Sequence, residues 1–144
     1  MKITICGSIK FRKEMVDYRD LLNAMGHEGI ICPVMEDIAL GRSPEILKLS
    51  ETNPAQAKKE GGYIKWYYNS IVASDTILVL NYDKNNIKNY IGGNTLMEMG
   101  FAHINDKKVF LLNDLPADSP YFDEIKAMTD YILEGDLNKI SEFI

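Results

Sequence analysis

Short apolar runs alternate along this chain with segments whose apolar residues recur at helical spacing. The runs at 3–6, 29–33, 76–80 and 108–112 predict four β-strands, and residues 131–133 predict a fifth strand at a sheet edge. The run 76–80 (TILVL) is aliphatic and β-branched throughout, which is typical of a strand covered on both faces.

Helical spacing separates these runs. The first helix is indicated by five apolar positions in steps of three and four, with Gly26 as its C-terminal cap: Phe11, Met15, Tyr18, Leu22 and Met25. Later helices are predicted at 63–73, from an Asn94 cap to about residue 104, from Ser119-Pro120 to about residue 128, and after Asp136. Residues 34–60 are polar and irregular apart from a short helix at Ser43-Pro44, and they predict a lid, a binding loop or a mobile segment.

The alternation of strands and helices predicts a single domain over residues 1–144 of the α/β class. We expect a flavodoxin- or Rossmann-like three-layer α/β/α sandwich with a five-stranded, mainly parallel sheet. Ligands bind such sheets at the carboxyl ends of the strands. Residues that follow strands are therefore candidates for function. Asp75 precedes the third strand, so we expect it at the far end as a turn or capping residue.

Composition narrows the class of protein. The net charge of −5 and the lack of a basic stripe disfavour nucleic-acid binding. The apolar runs are too short to cross a membrane, and Cys6 and Cys32 lie in strand-like runs, as small buried residues of a reducing compartment do. We therefore expect a cytoplasmic protein with a small-molecule ligand. No spacing of His, Cys and acidic residues indicates a metal site, and no cofactor is predicted.

The segment 91–100 (IGGNTLMEMG) contains the strongest candidate, Glu98. An acid near a helix N-terminus can simply complement the helix dipole. Glu98, however, lies between Met97 and Met99 and before an apolar stretch, which indicates a covered helix. A carboxylate in such surroundings requires a partner or a function.

Two further groups follow strands. Gly7 and Ser8 end the first strand at a helix start, and with Lys10 they could hold a phosphate, although many strand-to-helix turns look alike. Asn81 and Asp83 follow the third strand, where they could bind sugar hydroxyls or assist proton transfer, or simply form an Asn/Asp turn.

The segments ICGSIK after the first strand and GGNTLMEMGFA after the third resemble the nucleoside 2-deoxyribosyltransferase superfamily, and most closely its 2′-deoxynucleoside 5′-monophosphate N-hydrolases. The resemblance implies that Glu98 is the nucleophile that attacks the anomeric carbon of the sugar, with Gly93 and Gly100 around it. It also implies that Ser8 and Lys10 bind the 5′-phosphate, Lys10 standing where the family has Arg. Gly92, Gly93 and Asn94 are then substrate-binding candidates. Tyr67 could stack on a base, although a helical stripe of aromatic residues more often belongs to the core.

The chain departs from the family pattern in two places. Thr4 stands where family enzymes often have a Tyr, and the helix before the third strand has no acid at 66–69 (WYYN). Either Asp83 replaces that acid, or the substrate differs, or catalysis has been lost. The loop 81–93 is also longer than usual and could be a lid that carries Lys84 and Lys88.

These features together predict an N-glycosidase acting on a (deoxy)nucleoside 5′-monophosphate. The alternatives are a nucleoside 2-deoxyribosyltransferase with the same nucleophile, and a non-catalytic nucleotide-binding or sensor protein. The resemblance further implies a homodimer or a higher homo-oligomer.

Overall fold

The computed structural model describes residues 1–143. Within them five strands form one sheet in the order β2-β1-β3-β4-β5, and all neighbouring strands are parallel. The strands are Lys2–Gly7 (β1), Glu28–Ile30 (β2), Thr76–Leu80 (β3), Lys108–Leu111 (β4) and Tyr131–Ile132 (β5). The prediction of a Rossmann-like α/β fold with a five-stranded parallel sheet is confirmed.

Helices cover both faces of the sheet. They are Arg12–Ala24 (α1), Pro33–Ala39 (α2), Pro44–Thr52 (α3), Pro54–Gly61 (α4), Tyr63–Val72 (α5), Gly93–Ile104 (α6) and Phe122–Met128 (α7). Two 3-10 segments, Ile9–Phe11 and Leu137–Phe143, precede α1 and follow β5.

Alternate residues of the central strands enter two separate cores. Leu78 and Leu80 of β3 pack with Met15 of α1 on one face, while Ile77 and Val79 pack against α5 and α6 on the other. Such division is expected of a sheet buried on both sides, because successive side chains point to opposite faces.

The prediction for residues 34–60 is wrong in one respect, because this segment is almost wholly helical. Each of its helices α2, α3 and α4 has a proline in the first turn, at Pro33, Pro44 and Pro54. Proline is well suited to that place, where the missing N–H has no helical partner. The strand predicted at 29–33 accordingly ends at Ile30.

Several helix ends also differ from the prediction. Helix α6 starts at Gly93, with Gly92 rather than Asn94 as its N-cap. Ser119 does not cap a helix; its Oγ accepts a hydrogen bond from the Tyr121 N–H in the turn before α7. Asp136 does cap the last helical segment, where its Oδ1 accepts from the Asn138 N–H at 3.0 Å.

Candidate active site at the carboxyl ends of the strands

A cavity of about 550 Å³ opens where β1 and β3 end. Gly7 and Leu80 are paired at this edge, and a Cβ on Gly7 would lie 3.0 Å from the Leu80 carbonyl oxygen. A side chain at position 7 would therefore be crowded against β3, and the two strands would have to shift by a few tenths of an ångström. The glycine lets the turn after β1 pass close to β3 and form one wall of the cavity.

Helix α6 forms a second wall through one of its faces. The residues of α6 that line the cavity recur at helical spacing and are Gly93, Asn94, Thr95, Met97, Glu98 and Phe101. Helices α2 to α5 complete the enclosure, so the segment predicted to be a lid or binding loop does border the cavity.

Glu98 is the buried acid of this cavity, with only 7% of its surface exposed. Its Oε2 atom is buried, and no group within residues 1–143 donates a hydrogen bond to it. Burial raises the pKa of Glu98 from 4.5 to about 8, and a hydrogen bond with the Cys6 side chain acts in the opposite direction. A carboxyl group that is buried, incompletely paired and open to a cavity is a candidate functional group.

The two methionines beside Glu98 differ in their surroundings. Met99 is fully buried in the core, as the sequence predicted, but Met97 is 37% exposed and borders the cavity. Helix α6 is therefore covered on one side only, and Ile104 at its end is 79% exposed. The expectation of a mostly covered helix was too strong, although Glu98 itself lies on the covered side.

Tyr67 of α5 faces the same acid. Its ring is buried, it lines the cavity, and its hydroxyl has no hydrogen-bond partner in the described part of the chain. Burial raises the pKa of Tyr67 well above its usual value, and the charge of Glu98 adds to this effect. The phenol therefore stays protonated and can donate one hydrogen bond to a ligand. Trp66 packs edge-on against Tyr67 with ring centroids 5.0 Å apart.

Both cysteines lie close to Glu98 and are free thiols. Cys6 is fully buried, and its pKa is raised well above the usual value by burial and by the charge of Glu98. Cys32 lines the cavity, and its pKa is also raised, mainly by burial. Both sulfurs are therefore protonated near neutral pH, and they make the surroundings of the acid apolar.

The turn after β1 brings Ser8 into the cavity. Ser8 is the N-cap of the 3-10 segment, and its Oγ accepts a long hydrogen bond from the Lys10 N–H at 3.3 Å. The same oxygen lies 2.8 Å from the Lys84 Nζ, which donates to it from the loop after β3. The Lys10 side chain is exposed and does not border the cavity, whereas Lys84 does.

Asn81 and Asp83 are not brought to the cavity. Asn81 is fully buried, and its Nδ2 donates to the carbonyl oxygens of Asn113 and Asp114, while its Oδ1 accepts from the Asn113 N–H at 2.8 Å. Asp83 is exposed, and its Oδ1 accepts from the Asn89 N–H at 2.9 Å. In this structure both side chains stabilise loops at the edge of the sheet.

The structure thus brings together seven of the ten residues proposed from the sequence: Gly7, Ser8, Tyr67, Gly92, Gly93, Asn94 and Glu98. It adds others that were not proposed as ligands, chiefly Lys84 and Tyr90 of the loop after β3. The position of Lys84 just after a strand was the available signal. Asp75 lies at the far end of the sheet, as predicted, where its Oδ2 accepts from the Lys2 N–H at 2.7 Å.

Thr4 takes part in the packing of β1 on α5. Its Oγ1 is fully buried and lies 2.7 Å from the Ser70 Oγ and 2.8 Å from the Ser74 Oγ. All three hydroxyls therefore have partners within the protein, and Thr4 does not line the cavity.

Within residues 1–143 no three His, Cys, Asp or Glu side chains lie close enough together to hold a metal ion. In the same residues, no helix has both the length and the apolar character needed to span a membrane.

The fold and the position of the cavity define an α/β protein of Rossmann-like topology with its site at the carboxyl ends of the strands. The solved structure of the CMP N-glycosidase BcmB of Clostridium botulinum is similar in fold. It matches with a TM-score of 0.57 and 14% sequence identity over the whole of both chains. No protein-family model and no curated protein matches this chain.

Proposed function

We propose that this protein is an N-glycosidase that cleaves the bond between base and sugar of a nucleoside 5′-monophosphate, with Glu98 as the nucleophile. The proposal rests on the Glu98 carboxyl group, which is buried and borders a cavity of about 550 Å³. Its Oε2 atom has no hydrogen-bond partner within residues 1–143. The fold shared with a CMP N-glycosidase and the resemblance of the ICGSIK and GGNTLMEMGFA segments to nucleotide N-hydrolases support the same reaction class.

The reaction divides into two displacements at the anomeric carbon. The carboxylate of Glu98 forms a bond to that carbon while the base leaves with the electron pair of the carbon–nitrogen bond and takes up a proton from water. A water molecule then attacks the same carbon, loses a proton and releases the carboxylate. Both steps pass through a state with positive charge on the sugar, which a nearby carboxylate stabilises.

The raised pKa of Glu98 sets the ionisation of the free protein. With a pKa of about 8, roughly one tenth of Glu98 is ionised at neutral pH. The ionised form is the nucleophile, so activity rises with pH until Glu98 is fully ionised. The hydroxyl of Tyr67, which lacks a partner in the described residues, would donate a hydrogen bond to an oxygen of the bound sugar, or to the Glu98 carboxylate when the second step releases it.

A second candidate function is nucleotide binding without turnover. The absence of an acid at positions 66–69 and the use of Thr4 in packing favour it, because related enzymes use an acid and a Tyr at these places. In that case the cavity would bind the same ligand, and Glu98 would be a hydrogen-bonding group in its neutral form.

We also propose that two copies associate through the exposed apolar side chains of α5 and α6. Tyr68, Met97 and Ile104 are 44%, 37% and 79% exposed on these helices. Light scattering of the purified protein tests this, and a mass of one chain over the working concentration range would contradict it.

Chromatography of the protein incubated with deoxy- and ribonucleoside 5′-monophosphates tests the proposed reaction. We expect free base and sugar phosphate from at least one of them. Exchange of the base with an added acceptor base would instead indicate a transferase. Binding without any base release would support the binding protein and contradict the glycosidase. Glu98→Gln should abolish the release of base, and Asp75→Asn, which removes a carboxylate at the far end of the sheet, is its matched control and should keep the activity.

A further inference from the structure

Lys84 borders the cavity without a carboxylate partner in the described part of the chain. The ion pairs formed there involve other cations, namely Arg19, Arg42, Lys108 and Lys139. Lys84 instead donates from Nζ to the Ser8 Oγ at 2.8 Å, and the same nitrogen lies 5.2 Å from the centre of the Tyr90 ring. Neither contact neutralises its charge.

A second cation lies near the first. The pKa of Lys84 is lowered by partial burial and by the positive charge of Lys10. The charge of Lys10 is thus close enough to repel that of Lys84, although only Lys84 contacts the Ser8 hydroxyl, and two like charges are stabilised when an anion binds near them. The corner formed by Ser8, Lys10 and Lys84 is thus electropositive in a protein whose net charge is −5.

The loop after β3 holds Lys84 in place through backbone hydrogen bonds. The Lys84 N–H donates to the Ile87 carbonyl oxygen at 3.1 Å, and the Ile87 N–H donates back at 2.9 Å. The turn between them consists of Asn85 and Asn86 at φ of 53° and 59°, a region that Asn adopts more readily than most residues. This turn accounts for Asn85 and Asn86 and holds the backbone of Lys84 beside the cavity, where its side chain bonds to Ser8.

We propose that Lys84, together with Ser8, binds the 5′-phosphate of the substrate and determines the preference for nucleotides over nucleosides. The inference rests on the proposed function, since it places the phosphate in the cavity that contains Glu98. A phosphate oxygen accepts from the Lys84 ammonium and from the Ser8 hydroxyl, and so replaces the bond that these two groups form with each other. Lysine binds phosphate as a point charge, and the second donor supplies direction.

Isothermal titration calorimetry of the full chain carrying Glu98→Gln tests the inference without turnover. The probes are inorganic phosphate and matched pairs of nucleoside and nucleoside 5′-monophosphate. We expect the monophosphate of at least one pair to bind more tightly than its nucleoside. Lys84→Met should weaken binding of that monophosphate by about tenfold or more and leave the nucleoside unchanged. If the methionine impairs folding, Lys84→Gln serves as a second variant. Lys84→Arg keeps the positive charge and should retain the preference for the monophosphate over the nucleoside.

Lys88→Met is the matched control, because Lys88 is exposed on the same loop and does not border the cavity. It should bind both ligands as the Glu98→Gln protein does. The inference is overturned if Lys84→Met keeps the preference for monophosphates, or if neither phosphate nor any monophosphate binds to the Glu98→Gln protein. Base release by the unsubstituted protein is measured in a separate assay. If no base is released but Lys84→Met still weakens the binding of the monophosphate, only the proposal of glycosidase activity is refuted.

Discussion

Replacing Glu98 by Gln isolates the free energy associated with burying this carboxyl group. The substitution keeps the shape of the side chain and removes its titration. Burial raises the pKa of Glu98 from 4.5 to about 8, so the folded protein binds the proton more tightly than the unfolded chain does. The stability that this proton supplies is therefore complete below pH 4.5 and is lost as the pH rises through about 8.

The magnitude follows from the shift. Between the two pKa values the free energy of unfolding falls by about 1.4 kcal/mol for each pH unit, and it falls less steeply near either pKa. From about pH 5 to about pH 8 the titration of Glu98 therefore lowers the free energy of unfolding by about 3.5 kcal/mol. This is a large part of the roughly 5–15 kcal/mol that stabilises an ordinary domain. We expect the stability of the Glu98→Gln protein to exceed that of the unsubstituted protein increasingly as the pH rises.

Urea denaturation of both proteins at the two pH values measures the effect. The difference between their free energies of unfolding should change by about 3.5 kcal/mol, because other titrating groups are common to both proteins and cancel. A difference that stays constant with pH would mean that Glu98 titrates as an exposed acid does. That result would refute the argument that burial in the cavity keeps this group protonated.

Two other substitutions distinguish residues of the cavity from residues that stabilise the fold. Tyr67→Phe removes a buried hydroxyl that has no partner in the described residues. The midpoint of thermal unfolding should therefore stay the same or rise, and kcat/KM for base release should fall about tenfold. An unfolding midpoint that drops markedly would contradict this reasoning. Asn81→Ala leaves the Asn113 N–H and two carbonyl oxygens without their side-chain partner, and urea denaturation should show a loss of about 2–4 kcal/mol. A loss below about 1 kcal/mol would show that water replaces these bonds.

The sheet could be predicted from the sequence because its central strands are continuous apolar runs. The run at 76–80 is buried at every position, as its composition indicated. The segment 34–60 was harder to predict, since its prolines suggest interruptions. Pro33, Pro44 and Pro54 instead begin helices that are only seven to nine residues long, and their apolar residues are too few to show a clear period.

Residues of the candidate site could be predicted where their position along a strand or helix was enough to place their side chains at the cavity. Glu98 follows a buried strand and lies five residues into a helix, so its direction towards the carboxyl edge of the sheet could be derived. Asn81 and Asp83 satisfy the same positional rule, but their side chains bond to neighbouring loops. Sequence position gives the location of the backbone, whereas the direction of the side chain depends on hydrogen bonds, which Asn81 forms with residues 32 and 33 positions away and Asp83 forms with Asn89 of its own loop. The contact of Lys84 with Ser8 could not be derived either, because Ser8 lies 76 residues earlier in the chain, in the turn after β1.

Base release measured near pH 8, where about half of Glu98 is ionised, tests the central claim most directly. The substrates are the nucleoside 5′-monophosphates, and the proteins are the unsubstituted chain and the Glu98→Gln variant. We predict release of one base by the unsubstituted protein and a rate lower by about a thousandfold or more in the variant, as is usual when a nucleophile is removed. A variant that releases the same base at a comparable rate would show that Glu98 is not the nucleophile.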